Sequence, residues 1–233
     1  MSVLYQFAST LASATFVADL DHSKVMDWRQ GYFDGSEPRR LEVHRESLAD
    51  RWIPFEGQLD FRTTESIPKQ ALDFVMFSPV STMVAVRDAV LEQTEVLWGL
   101  VEALPLRCRD YDYSAIHAPR HADILNLDAS TYGVPRSPER VLSSGCLTLP
   151  IVAVFDPSPL DEVDLFRVPQ MTAMFCTQGF IDRLRELGIT GYGARQVWPP
   201  TEEQLAEEAR LLALQRAGKM HGQMHFRPEA LEA

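Results

Sequence analysis

The stretch MFCTQGFIDRLRELGITGYGARQVWPP, residues 174–200, decides the fold class. Its first residues are apolar and predict a short strand, and Thr177 belongs to the residue types that precede the first turn of a helix. Gly188 and Ile189 are typical of a Schellman helix end. A second strand is predicted from Gly193 to Trp198, before two prolines. Between the first of these strands and Gly188, apolar residues recur at helical spacing: Phe180, Ile181, Leu184 and Leu187.

A unit of the same kind lies about a hundred residues earlier, at 74–106, so that strand, helix and strand occur twice, at 74–106 and 174–198. Phe74 to Phe77 predict a strand, and Ser78 or Ser81 is expected to cap the helix that follows. Pro105, near the end of the apolar stretch Val96 to Leu106, predicts an edge strand or the end of a strand. The expected helical stripe is Met83, Val84, Val86, Val90 and Leu91.

The remaining segments predict more strands and one further helix. Residues 2–20 favour one or two strands, and the turn signals of 26–70 favour short strands and loops. Thr201 and Gln204 form a capping box before the tail helix, whose expected apolar stripe is Leu205, Ala209 and Leu212. Further strands are predicted at Asp123 to Leu127, Leu147 to Phe155 and Leu165 to Val168, and a loop at Gly133 to Pro138.

Together these patterns predict an α+β fold. We expect mixed or mostly antiparallel strands, a few short helices, the two similar strand–helix–strand units and a C-terminal helix. A single domain is expected over 1–200, with a β- and loop-rich part at 1–70 and a second part at 71–200. Residues 201–233 form the C-terminal helix and tail.

Composition and charge restrict the classes of partner. The 233 residues are 45% apolar and 24% charged, which is ordinary for a globular protein with a core. The net charge of −11 disfavours nucleic acid and anionic membranes, because both attract positive proteins. Three widely spaced cysteines indicate a reducing compartment. No apolar run approaches the ~20 residues of a membrane span, and the N-terminus lacks a secretion signal, so a cytoplasmic location is expected.

Candidate sites are few, and no catalytic, cofactor or metal residues are predicted. His117 and His121, and also His221 and His225, have the spacing of a helical zinc pair, but Pro119 and Gly222 interrupt them. Ser143 to Cys146 and Gly191 to Gly193 are interpreted as turns. The acidic residues are expected on solvated surfaces: Asp110, Asp112, Asp161, Glu162 and Asp164. Trp52 and Trp98 are expected in the core.

One segment combines residue types that dominate protein-binding surfaces. It is Asp27 to Asp34, in which Trp28, Arg29, Tyr32 and Phe33 are the predicted partner-binding residues. The alternative interpretation is that Trp28 and Phe33 are core aromatics at the base of a turn.

Four segments between about 70 and 200 occur in a distinctive order. They are Asp73 to Ser78 with Arg87 to Leu91, Ala103 to Leu106, Asp123 to Ser130, and Leu165 to Val168 followed by Met174 to Cys176, Glu186 to Gly191 and Val197 to Pro199. This order resembles a known family, the immunity proteins of bacterial polymorphic toxin systems, specifically family eleven with its myxobacterial type member. At the last segment the family usually has a serine where Cys176 or Thr177 stands.

The resemblance implies a cytoplasmic antidote that binds and neutralises a cognate toxin by direct protein contact. It supplies no catalytic residues. Two other hypotheses remain open: a hydrolase-like enzyme with an unrecognised site that reverses toxin damage, and a self-associating adaptor. The oligomeric state is not predicted.

Overall fold

A computed structural model gives the architecture of the chain. It contains two β-sheets and three α-helices among the residues that the structure describes. These residues are 2–9, 14–18, 47–52, 54–61, 72–77, 83–95, 97–109, 111–126, 129–130, 153–169, 171 and 173–217.

The described residues contain many strands and only three α-helices, which confirms the predicted α+β class. The strands are β1 Leu4–Ser9, β2 Ala14–Ala18, β3 Glu56–Phe61, β4 Phe74–Phe77, β5 Val84–Arg87, β6 Glu102–Pro105, β7 Arg107–Cys108, β8 Tyr113–His117, β9 Leu165–Arg167, β10 Met174–Thr177 and β11 Tyr192–Trp198. The helices are α1 Asp88–Gln93, α2 Gln178–Glu186 and α3 Glu202–Arg216, and Ala49–Arg51 form a 3₁₀ turn.

The strands form a small and a large sheet. The small sheet has the order β11-β1-β10-β9, and all its neighbours are antiparallel. The large sheet has the order β6-β8-β5-β4-β2-β3-β7, in which β2 pairs parallel with β4 and β3 parallel with β7. The predicted mixture of mostly antiparallel strands is therefore present.

The two sheets contain the same arrangement twice. The order β11-β1-β10-β9 matches β6-β8-β5-β4 strand for strand, with the same antiparallel directions and with a helix after β10 and after β5. The equivalence includes the next neighbour in each sheet. His121 forms a parallel bridge with β9, just as β2 runs parallel to β4. The predicted pair of strand–helix–strand units is thus part of a larger internal repeat.

The repeat exchanges its first strands. The first half of the chain contributes β1, which lies in the small sheet between β10 and β11 of the second half. The second half contributes β8, which lies in the large sheet between β5 and β6 of the first half. Each half therefore completes the sheet of the other, and neither sheet is built from one half alone.

Matched backbone hydrogen bonds support this equivalence. At the start of α1 the Asp88 amide donates to Asp112 at 3.0 Å, and at the start of α2 the Gln178 amide donates to Val3 at 3.2 Å. One residue earlier, Arg87 donates to the Asp73 carbonyl at 2.9 Å and Thr177 donates to the Asp164 carbonyl at 3.1 Å. Both helices thus begin directly from a strand, and both starts are anchored on equivalent residues of the two halves.

A central core lies between the sheets and buries equivalent positions of both halves. On β1, Phe7 contacts Phe74 and Phe180 edge to face, each with ring centroids 5.5 Å apart. Burial of these apolar side chains is the main force that holds the halves together. The matched pairs in this core are Phe7 and Ile116, Phe74 and Leu165, Val84 and Met174, Val86 and Cys176, and Val90 and Phe180.

Strand β5 corrects the predicted helix at 83–91. Val84 to Arg87 form a strand, and α1 begins only at Asp88. The reason is burial on both faces, because Val84 and Val86 enter the central core while Ala85 enters the core on the other side of the large sheet. A strand buried on both faces is apolar throughout and has no alternation that would distinguish it from a helix.

Helix ends follow the sequence signals more closely. The Ile189 amide donates to Leu184 at 3.1 Å and the Gly188 amide to Arg185 at 3.0 Å, which is the predicted Schellman motif. Thr177 precedes α2 as expected, but its hydroxyl donates to the Glu162 carbonyl at 2.7 Å and makes no cap hydrogen bond to the helix.

Helix α3 has the predicted capping box and a different buried residue. Gln204 donates its amide to the Thr201 hydroxyl at 3.2 Å, and the Thr201 amide donates to the Gln204 side chain at 2.8 Å. Leu205 of the expected stripe is exposed, whereas Leu211 is buried. None of the described helices is long and apolar enough to span a bilayer.

One predicted strand differs in the structure, and another lies mostly outside the described residues. Asp123 to Leu127 contributes only an isolated bridge between Leu125 and Phe155, although the adjoining amides of Asn126 and Asp156 also bond across at 2.8 Å. This pairing is too short to count as a strand. Most of Leu147 to Phe155, and all of Gly133 to Pro138, lie outside the described residues.

Candidate functional site

The predicted partner-binding residues Trp28, Arg29, Tyr32 and Phe33 lie outside the described residues. The same holds for His221 and His225, and for the turn Ser143 to Cys146. The candidate sites compared below therefore come from the described part of the chain.

His117 and His121 do not converge on a metal site. His117 is fully buried in β8 of the large sheet, where Nδ1 lies 3.0 Å from Glu102 Oε2. His121 pairs instead with Arg167 beside the small sheet. Across the described residues, no group of three or more His, Cys, Asp or Glu side chains is placed to hold a metal ion.

Glu102 joins β6 to the 3₁₀ turn that precedes β3. Its carboxylate accepts hydrogen bonds from the Ser47 hydroxyl, from the Leu48 amide at 2.9 Å and from His117. Burial alone would raise the pKa of Glu102, but these hydrogen bonds outweigh burial and lower it below its usual value. Because His117 is enclosed, this cluster is a structural connection between distant segments.

Arg120 forms a second charged cluster with the exposed Asp161 and the buried Asp164. Arg120 Nη1 lies 2.7 Å from Asp161 Oδ2 and 2.7 Å from Asp164 Oδ2. Asp164 is fully buried, which corrects the expectation of a solvated carboxylate, and burial raises its pKa against the opposing effect of Arg120. The cluster fastens 120–122 along β9, where the Arg167 amide donates to the Arg120 carbonyl at 2.9 Å.

Trp98 is the most exposed large apolar side chain that the structure describes. It is 66% exposed, which corrects its predicted place in the core. Tryptophan is among the residue types most enriched at the energetic centres of protein interfaces. An exposed tryptophan on an ordered turn is therefore a candidate contact for another protein.

The turn that carries Trp98 is held by several hydrogen bonds. The indole Nε1 donates to the Leu91 carbonyl near the end of α1, and the Thr94 hydroxyl donates to the Val90 carbonyl. The Trp98 amide donates to the Glu95 carbonyl at 3.1 Å. Leu97, directly before Trp98, is fully buried in the central core. The indole is thus oriented before any partner arrives, which lowers the entropic cost of binding.

The surroundings of Trp98 are acidic. Glu92 and Glu95 are exposed on the same short segment, and no ion pair is recorded for either carboxylate within the described residues. We call Trp98, Glu92 and Glu95 the Trp98 surface. It combines an exposed indole with two exposed carboxylates that precede it by three and six residues in the chain.

The second half of the chain offers an internal comparison. Leu187 precedes the left-handed Gly188 after α2, just as Trp98 precedes the left-handed Gly99 after α1. Leu187 is 41% exposed. The charges beside Leu187 neutralise each other, through Arg183 with Glu186 at 3.2 Å and Arg185 with Asp182 at 2.7 Å. The backbone hydrogen bonds of the two turns differ, and the turns also differ in their aromatic and acidic character.

The sequence contains a signal that Trp98 is exposed, which the prediction of a core position did not use. Trp98 is followed by Gly99 and preceded by a helix end with two glutamates, a combination that is typical of an exposed turn. In comparisons with known proteins, no protein-family model and no curated protein matches the chain. The immunity-protein resemblance therefore stays a prediction.

Proposed function

We propose that this protein is an immunity protein, which binds a cognate bacterial toxin and neutralises it by direct protein contact. The observation that carries the proposal is the Trp98 surface, because a largely exposed indole on a preorganised turn is suited to a protein interface. The segment order resembling immunity family eleven supplies the class of partner. The proposal places the protein in the cytoplasm, where it would meet a toxin made by or delivered to the same cell.

The charge of the chain supports the same proposal. A net charge of −11 increases the rate of association with a positively charged partner through long-range attraction. Rapid capture is useful to an antidote, since free toxin acts on the cell until it is bound.

Co-expression tests the proposal directly. A candidate toxin gene from the neighbourhood of this gene is induced in a bacterial host, with this chain or with an empty vector, and surviving colonies are counted. We expect survival only with this chain. Equal killing in both cultures would overturn the proposed function.

A titration separates binding from the alternative of an enzyme that reverses toxin damage. Purified toxin activity is measured against increasing amounts of this protein. A binding antidote abolishes activity only when it reaches an equimolar amount, whereas a repair enzyme acts in catalytic amounts. Light scattering on the free protein tests the third hypothesis, a stable self-associated adaptor.

A further inference from the structure

The Trp98 surface carries information about the chemistry of its partner. We infer that it docks a basic protein surface, with an arginine or lysine side chain against the face of the Trp98 indole and further cations beside Glu92 and Glu95. This inference deepens the proposed function and rests on it for the identity of the partner.

The orientation of the indole favours contact through its face. The Nε1–H group already donates to the Leu91 carbonyl, so the ring needs no further hydrogen-bond acceptor from a partner. The face of tryptophan attracts cations more strongly than that of any other aromatic side chain. Arginine also stacks on such a face through its planar guanidinium group.

The two carboxylates select a cationic partner over an apolar one. An apolar surface seated on Trp98 would remove water from Glu92 and Glu95 and supply no countercharge, which is costly. A nucleic acid would be repelled by the same charges. A basic surface satisfies the indole and both carboxylates together.

The comparison between the two halves indicates that these features are specific to one turn. At the turn after α2 in the second half, an exposed leucine, Leu187, precedes the left-handed glycine, and the flanking charges are paired within α2. A general need for solubility or for turn formation would be met equally well by the Leu187 arrangement. The turn of the first half has in addition an aromatic face and unneutralised acids.

Binding of a capped oligo-arginine peptide to the full chain tests the inference without the toxin. Affinity is measured by calorimetry at low and at physiological salt for the wild type, W98A and the double variant E92Q/E95Q. We expect each change to weaken binding about fivefold to tenfold, and E92Q/E95Q to reduce the salt dependence. Circular dichroism and thermal midpoints verify that both variants are folded, and E92Q/E95Q retains the indole.

Matched controls remove an exposed apolar side chain or two exposed carboxylates at other places on the chain. L187A truncates the exposed apolar residue of the turn after α2, and E202Q/E203Q removes two exposed carboxylates from the start of α3. We expect both to bind the peptide within about twofold of the wild type. If E92Q/E95Q and E202Q/E203Q weaken binding equally, only the overall charge matters and the inference is wrong.

The co-expression experiment distinguishes failure of the inference from failure of the proposed function. If the wild type protects cells and W98A protects them equally at matched expression, the proposed function stands and the Trp98 surface is not the contact. If the wild type does not protect, the proposed function fails, and the peptide measurements decide the inference by themselves.

Discussion

Gly191 and Gly99 have similar backbone conformations but differ in the space available for a side chain. Both have left-handed backbones, with φ of 83° and 79°. A Cβ atom on Gly191 would lie 2.3 Å from the Phe74 carbonyl oxygen and 2.7 Å from Leu72 Cβ, whereas none would be within 4 Å at Gly99. Only Gly191 is required for close contact between the two halves.

We therefore predict different costs for the same substitution at the two glycines. G99A adds backbone strain alone and should lower the free energy of unfolding by about 1–2 kcal/mol. G191A adds overlap with the backbone of β4 and should cost about 3 kcal/mol or more. Urea denaturation measures both, and equal losses would contradict the described contact.

Glu102 makes a prediction about pH. Its pKa is lowered in the folded protein, so its ionised form stabilises the fold above the usual glutamate pKa, and this contribution is lost as the pH falls through the lower folded value. E102Q should therefore be less stable than the wild type at pH 7, and the difference should shrink between about pH 5 and 3.

Unfolding curves across this pH range check the prediction. S47A removes one of the donors to Glu102 and should give a smaller change of the same kind. A difference between wild type and E102Q that stays constant with pH would show that the carboxylate charge is not responsible.

At the level of residues, the sequence predicts local conformation better than it predicts which side chains are buried. The Schellman end at Gly188 depends on neighbours within a few positions, so its pattern is visible in the chain. Trp98 and Asp164 were both assigned to the wrong environment, because their exposure depends on which distant segments cover them. The aromatic surface was therefore found only in the folded structure.

Among the secondary-structure elements, β5 and α1 show where periodicity fails. Val84, Val86 and Val90 fit a helical stripe, yet the first two lie on a strand and only Val90 lies on the helix. The chain passes from strand to helix without a loop at Arg87, so no glycine or proline marks the change. The predicted strand β4 and helix α2 have clear boundaries and are confirmed.

The capping box of α3 gives a prediction for a whole element. T201A removes the oxygen that accepts from the Gln204 amide and should destabilise the first turn by about 1 kcal/mol. T201S keeps that oxygen and should behave like the wild type. Hydrogen exchange at the Gln204 amide measures the effect, and unchanged protection in T201A would contradict the capping role.

For the whole molecule, the repeat was visible in the sequence but the exchange of first strands was not. The units at 74–106 and 174–198 share a local pattern that the chain displays directly. The pairing of β1 with β10 and β11 joins Leu4 to Thr177 and Trp198, a separation that no local pattern encodes. Its basis is the shared central core, which needs Phe7 and Ile116 in equivalent places.

The exchange predicts that the halves fold only together. Cleaving the chain after Arg109 separates β1 from its partners β10 and β11, and β8 from β5 and β6. Fragments 1–109 and 110–233 should each lack stable structure alone and regain the native circular dichroism spectrum when mixed. Native-like hydrogen-exchange protection in either isolated fragment would contradict the exchanged arrangement.

The position of β1 also matters while the protein is being made. This strand is synthesised before the other described strands, but its neighbour β11 ends at Trp198. At 5–20 residues per second, β1 waits about 10–40 s for that partner. A translation product that stops before Trp198 has an incomplete small sheet. Its apolar strand β1 then stays accessible to chaperones and proteases. Both sheets are complete only after synthesis has passed Trp198.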